Sequence, residues 1–174
     1  EQPTKRSHPI GHISEILGDH MAPGMEVQIA IFSHDIPTEW PPGIADETAL
    51  LSADIPETEL QNRLDLRHLP LVTIDGIDSR DFDDAVYCER RGKNWRLLVA
   101  IADVAWYVRP ETVLDQQAQY RGTSVYFPDR VIPMLPEILS NELCSLNPQL
   151  DRLCLVCDMT INPAGRIIRS RFFE

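Results

Sequence analysis

The chain has 174 residues, 43% of them hydrophobic, and carries a formal net charge of −11 at pH 7 from 16 basic and 27 acidic side chains. That length suits one domain with a real core. No apolar run approaches the roughly 18 to 20 residues of a membrane helix, and nothing apolar comes after the polar start from Glu1 to Arg6 that could act as a secretory signal. Cys88, Cys144, Cys154 and Cys157 do not suggest a secreted disulfide scaffold in a chain of this size, so a reduced, cytoplasmic setting without a membrane is expected. No Met opens the chain, and a piece of a longer protein is expected.

The charge is unevenly spread. Residues 1–70 hold 4 basic against 12 acidic side chains, whereas residues 71–174 hold 12 against 15. Five of those 15 are aspartates in one short loop, and setting them aside leaves the second part at +2. An acidic total is therefore compatible with a polyanionic partner held through metal ions and a handful of arginines, with other parts of a longer protein supplying most of the affinity.

Taken in order, residues 7–36 contain short apolar runs broken by Gly18, Pro23 and Gly24. Residues 25–32 alternate Val27, Ile29 and Ile31, which predicts a half-buried strand. Residues 1–36 are thus expected to form a β-rich N-terminal arm, part of a small barrel continued upstream or packed on the residues after it. His8, His12, His20 and His34 have no ligand spacing and read as ordinary surface or core imidazoles. Residues 37–69 read as a helical connector: Trp40, Pro41 and Pro42 break the strand, and residues 44–52 and 56–64 can each form a short helix. Pro56 suits a first helical position, with Glu57 and Glu59 in a first turn that favours negative charge.

From residue 70 to 174 the pattern predicts a mixed α/β (α+β) unit with a largely antiparallel sheet and short helices. Residues 71–74 and 85–90 read as strands, residues 91–94 as a turn, and residues 95–102 as a returning strand with Trp95, Leu97, Val99 and Ile101 on one face. A helix over residues 112–121 ends at Gly122. An extended Pro-rich stretch comes next, then a short helix over residues 136–143, and a closing hairpin of residues 152–161 and 166–173. Cys154 and Cys157 form a C-x-x-C, but on a strand positions three apart point to opposite faces, and no second pair completes four zinc ligands. Buried core cysteines are expected.

The chemistry concentrates in residues 74–85, where five of twelve residues are aspartates: Asp75, Asp78, Asp81, Asp83 and Asp84. Carboxylates this dense repel one another unless a cation sits among them, and an all-oxygen donor set suits a hard ion such as Mg²⁺ or Mn²⁺. A solvated acidic loop is the plainer reading. A calcium loop of the EF-hand kind fails, since starting at Asp81 puts Ala85 and Val86 at its fifth and sixth positions, and starting at Asp75 puts Ile77 at its third. All five histidines fall in the first 68 residues and no G-x-S-x-G or Walker loop occurs, which removes the usual triad and phosphate-loop chemistries. Divalent ions held by aspartates, the common means of cutting phosphodiesters, remain. The spacing does not say which aspartates face inward. Asp103 could line the same acidic pocket or cap a turn.

Residues 69–76 and 81–87, with Val99 to Val104, Arg121 to Pro128, Ile132 to Pro136 and Leu143 to Pro148, resemble the ribonuclease II/R (RNB) family, and within it the bacterial ribonuclease R branch. The resemblance covers nearly all of residues 8–174. It implies that residues 1–36 are the end of the second cold-shock (OB-type) domain and residues 70–174 the first part of the catalytic domain. It also implies a processive 3′-to-5′ exoribonuclease that hydrolyses single-stranded or 3′-tailed RNA to nucleoside 5′-monophosphates with Mg²⁺, or Mn²⁺. By motif position it assigns metal binding to Asp75, Asp81, Asp83 and Asp84, with Asp83 the most sensitive catalytically, and assigns Tyr126 to stacking on the terminal 3′ base. The residues alone would favour a core tyrosine with a bonded hydroxyl. Asp78 and Arg80 fall at supporting positions outside the site. The family's later arginine and glutamate are not in this sequence, so weak or no hydrolysis by this piece alone is expected, and a non-enzymatic RNA-binding or assembly fragment is the alternative. Strand edges near Phe172 and Phe173 are expected to drive self-association.

Overall fold

The computed structural model describes residues 11–13, 15–18, 22–77, 79 and 81–174. Its frame is a four-stranded antiparallel sheet whose strands run, in spatial order, over residues 84–91, 94–102, 154–161 and 167–173. β1 (Asp84–Arg91) and β2 (Asn94–Ala102) form a hairpin whose register runs from Arg91 opposite Asn94 to Asp84 opposite Ile101. Gly92 in its two-residue turn has φ 63°, the left-handed conformation that lets such a turn follow the strand twist. After an excursion across residues 103–153 the chain returns as β5 (Cys154–Ile161), which pairs with β2, and as β6 (Ile167–Phe173), the outer strand. The Asn162 side chain shapes the β5–β6 turn by accepting from the backbone N–H groups of Ala164 and Arg166.

One face of this sheet is covered. Leu98, Ala100 and Val156 are buried beneath Leu66, Leu69 and Leu71, with Phe173 closing the side. Beyond the end of β2 a second cluster joins Ala102 to Ile44, Leu114, Leu135, Leu139, Leu143 and Cys144. It is built by α2 (Ile44–Ala49), α5 (Val113–Arg121) and a π-helix (Ile138–Leu143). Glu47 on α2 fixes α5 in place: its two carboxylate oxygens accept from Val113 N and Leu114 N at 2.8 Å each, where a helix start has free donors and positive potential. At the other end of α5, Arg121 donates to the carbonyls of Pro37, Glu39 and Pro133 and lies 3.6 Å from the Trp40 ring centroid. Residues 37–69 are thereby fastened to the C-terminal part of the chain by hydrogen bonds to backbone carbonyls as well as by apolar contacts. Its remaining helix, α3 (Glu57–Leu60), begins at Pro56 in the cap position.

The mixed class with a largely antiparallel sheet and short helices holds. The strand expected at residues 25–32 does not: Met25–Ser33 is helix α1. Val27 and Ile31 lie on one face under both a period of 2 and a period of 3.6, so a three-member alternation cannot separate the two. Burial decides: Ile31 is 5% exposed and Ile29 50%. No strand occurs among the described residues before β1, so the β-rich arm is not seen there. Residues 71–74 contribute only a bridge, Val72 paired with Val86. The face carrying Trp95 and Ile101, each 45% exposed, is the open side of the sheet, while the alternate residues of β2 supply the core. The short helix α4 (Val104–Tyr107) and the two-residue strands β3 (Val125–Tyr126) and β4 (Val131–Ile132) are not legible in the pattern.

Candidate functional site

The aspartate loop leaves the sheet at the Val72–Val86 bridge and re-enters it at Asp84, so both ends are fixed to the same strand. Its second limb is anchored at successive residues. Phe82 N–H donates to Ser145 Oγ at 3.1 Å and Phe82 C=O accepts from Leu146 N at 2.8 Å. The Asp83 carbonyl then accepts from Ala102 N at 2.9 Å, which extends the β1–β2 ladder by one residue. The backbone carrying Asp81, Asp83 and Asp84 is therefore held by a rigid sheet and a buried serine, conditions that keep a site in register.

The side chains converge in part. Asp81 accepts from Ser79 Oγ at 3.2 Å through Oδ1 and from the Tyr126 hydroxyl at 2.9 Å through Oδ2. Asp83 reaches solvent as a residue, yet its carboxyl is set deep enough for desolvation to raise its pKa, and the charges of Asp81, Asp84 and Asp75 push the same way. The Tyr126 phenol is raised above its ordinary value first by its bond to Asp81 and then by burial. The residue stays 65% exposed, so Tyr126 is a surface tyrosine with a bonded hydroxyl rather than a core one. Among the described residues no ion pair reaches Asp75, Asp81, Asp83 or Asp84.

In donor type these groups suit a metal. The set is all oxygen, negatively charged and without a cationic partner among the described residues, which is the chemistry a hard divalent ion would relieve. No three His, Cys, Asp or Glu side chains among the described residues stand at ligating spacing. Asp78 and Arg80 lie outside the described residues.

Asp103 belongs elsewhere. It occupies the N-cap position of α4, but its side chain makes no cap bond and accepts instead from Arg63 Nη2 at 2.5 Å. Arg63 is 9% exposed and also pairs with Glu59 at 2.7 Å and Glu174 at 3.5 Å. Asp103 is thus neutralised in an ion-pair hub that ties residues 37–69 to the end of the sheet. Cys154 and Cys157 are free thiols on opposite faces of β5 and only partly buried, and burial pushes the Cys154 thiol up to about 11. His12, His34 and His68 are exposed, and His8 and His20 lie outside the described residues.

Ser145 and Ser79 are contacts that residue patterns do not reveal. The one signal for Ser145 is a lone hydroxyl inside the apolar run from Leu143 to Leu146.

Comparison with known proteins gives the frame its family. The RNB domain model matches residues 63–174. This chain belongs to the RNB-domain family. The RNB match contains the aspartate loop, Tyr126 and the whole sheet, and a cold shock domain model matches residues 1–41, which include α1. The chain is 59% identical over 175 residues to ribonuclease R of Escherichia coli K12, covering 100% of the chain and 22% of that relative. It superposes on the structure of Mycoplasma genitalium RNase R in complex with ribose methylated single-stranded RNA with a TM-score of 0.85 and 35% identity, covering 92% of this chain and 25% of that one. Yeast Ssd1, a pseudonuclease, shares the fold at a TM-score of 0.74 and 18% identity over 90% of this chain and 20% of its own. The chain thus spans about a fifth of the length of the Escherichia coli ribonuclease R that it matches. Among the described residues no helix is long and apolar enough to cross a membrane.

Proposed function

We propose that the chain is the first part of the catalytic unit of a processive 3′-to-5′ exoribonuclease that hydrolyses single-stranded or 3′-tailed RNA to nucleoside 5′-monophosphates in the cytoplasm. Residues 1–36 are the end of a cold-shock (OB-type) domain, residues 37–69 a connector, and residues 70–174 the start of the RNB unit. The family matches over residues 1–41 and 63–174 support this division.

The observation that carries the reading is the bond from the exposed Tyr126 to Asp81, on the sheet-anchored stretch that also carries Asp83 and Asp84. Asp75, Asp81, Asp83 and Asp84 would hold Mg²⁺, or Mn²⁺. When bound, such an ion polarises the phosphoryl oxygen, makes water acidic enough to attack at neutral pH and stabilises the leaving oxygen. The attack forms a P–O bond to water and breaks the bond from phosphorus to the 3′-oxygen of the preceding nucleotide, so the terminal nucleotide departs with its 5′-phosphate. Asp83, whose carboxyl is raised first by burial and then by the charges of Asp81, Asp84 and Asp75, is a group that a cation would relieve. The Tyr126 ring supplies a stacking surface for the terminal base, an interaction tolerant of base identity.

The test is incubation of the chain with 3′-extended RNA and Mg²⁺. Slow release of mononucleotides that vanishes in Asp83→Asn is expected; metal-independent products or an unaffected variant would sink the reading.

A second reading, a non-enzymatic RNA-binding or assembly fragment, is favoured by the spacing of the acidic groups: among the described residues no three His, Cys, Asp or Glu side chains stand close enough to ligate one ion. RNA binding that falls steeply with salt, without turnover, would favour it.

A further inference from the structure

We propose that Ser145 is a positioning residue for the aspartate loop, holding Phe82 from below so that Asp81 and Asp83 on either side of it are presented to a divalent cation. The inference rests on the metal-dependent nuclease reading above and names a residue that reading does not use. The Ser145 side chain is fully buried, at 0% exposure.

The grip is made at two points. Ser145 Oγ accepts from Phe82 N at 3.1 Å, and the N–H of the next residue, Leu146, donates to Phe82 C=O at 2.8 Å. Both backbone polar groups of Phe82 are therefore taken by adjacent residues of one segment, much as a strand partner would take them. A single hydrogen bond would leave the loop free to rotate about it; two on the same residue fix its orientation.

The gripping segment is itself immobilised. The Ser145 carbonyl accepts from Arg152 Nε at 3.0 Å and from Asn147 N at 2.8 Å, and the same Arg152 Nε reaches the Glu142 carbonyl at 3.1 Å. Upstream, Cys144 N donates to Leu139 O at 2.8 Å, the i to i+5 bond that closes the π-helix. A π-turn carries an extra residue relative to an α-turn, and such insertions recur at functional sites. Leu139, Leu143 and Cys144 are all buried in the second core cluster, so the segment cannot shift without disturbing the core. The chain of restraint runs from Arg152 and the core to Ser145, then to Phe82 and the carboxylates.

The hydroxyl matters here as an acceptor. Cysteine is close to serine in size but a weak acceptor, so Ser145→Cys weakens the side-chain half of the grip with little change in packing, and Ser145→Ala leaves the Phe82 N–H without this acceptor. Two measurements on the 174-residue chain test the role. Hydrogen exchange of residues 81–84 reports the grip itself, and Mn²⁺ titration followed by electron paramagnetic resonance reports the presented carboxylates. Ser145→Cys is expected to speed exchange of the Phe82 amide by about tenfold or more, and to weaken Mn²⁺ binding by about fivefold or more, with the circular dichroism spectrum unchanged. Any residual mononucleotide release should fall in rate with the RNA concentration for half-maximal rate held, since stacking on Tyr126 is untouched. If wild type binds Mn²⁺ and Ser145→Cys binds it equally well with an equally protected loop, the positioning role is overturned while the nuclease reading stands. If wild type binds no Mn²⁺ at all, the metal reading of the loop falls, and unchanged exchange of the Phe82 amide in Ser145→Cys would overturn the grip separately.

Discussion

The hydroxyl of Tyr126 donates to Oδ2 of Asp81 at 2.9 Å, joining a solvent-exposed ring to the carboxylate cluster across 45 positions of sequence. The two functions proposed for these residues, base stacking and cation binding, are therefore physically linked and can be separated by two substitutions. Tyr126→Ala removes ring and hydroxyl, and weaker binding of single-stranded RNA by roughly 5- to 150-fold is expected, the equivalent of about 1 to 3 kcal/mol for one stacked base. Tyr126→Phe keeps the ring and should bind RNA within about twofold of wild type. Fluorescence anisotropy at one fixed salt concentration reads both. The same bond raises the phenol pKa, so Asp81→Asn should bring the Tyr126 titration down toward the ordinary tyrosine value, read by ultraviolet absorbance.

Asp83 makes a prediction of opposite sign to the arginine-paired Asp158. Its folded pKa is raised by desolvation and by Asp81, Asp84 and Asp75. A raised carboxyl contributes stability below its unfolded pKa and loses that contribution as pH rises through the folded value. At neutral pH and without metal the ionised side chain therefore works against the fold. Asp83→Asn should stabilise the metal-free chain at pH 7, by up to about 1 kcal/mol given partial screening by solvent, and the advantage should disappear below the carboxylate range. Asp158 behaves in the usual way: Arg96 and Arg171 hold its pKa down against desolvation, so its contribution is present above the unfolded value and lost in acid. Thermal melts of wild type, Asp83→Asn and Asp158→Asn across pH distinguish the two signs.

Much of the sheet is legible in the sequence because it depends on local chemistry: the Gly92 turn, the β-branched runs and the Thr112 and Gly122 ends of α5 each declare themselves within a few residues. Met25–Ser33 defeats the pattern because Val27 and Ile31 satisfy both periods, and only the exposure of Ile29 separates them. In the site, the density of aspartates points to the loop, whereas the partners that give it shape are 45 residues away at Tyr126 and 63 away at Ser145. Asp103 shows the same limit from the other side. An aspartate after a strand is ambiguous until Arg63, 40 residues earlier, is seen to take it.

That pair makes a stability prediction. Arg63 and Asp103 are 9% and 12% exposed, and Arg63 also holds Glu59. Replacing a buried arginine leaves the carboxylates uncompensated in a poorly solvated place, which costs roughly 3 to 5 kcal/mol when one partner of a buried pair is removed. Arg63→Met should therefore lower the urea midpoint strongly. The double variant Arg63→Met with Asp103→Asn should recover part of the loss, because the unpaired charge goes with its partner. Equal stability of wild type and Arg63→Met would mean that the hub adds nothing to the fold.

The open face of the sheet leads to the last prediction. Leu155 at 46%, Ile101 at 45% and Phe172 at 71% exposure lie there with Val86, Leu97 and Val99. β6 is an edge strand, but Arg169 on it opposes pairing with a like-charged copy. Phe173 turns inward to the covered face, so it contributes nothing to an outer contact. Association should therefore proceed through the apolar face rather than by edge-to-edge strand addition. Light scattering after size-exclusion chromatography should show mass rising with protein concentration, and Phe172→Asp should shift the chain toward monomer, whereas reversing charge at Arg169 should leave the equilibrium nearly unchanged. Sensitivity to Arg169 with indifference to Phe172 would place the contact on the edge instead.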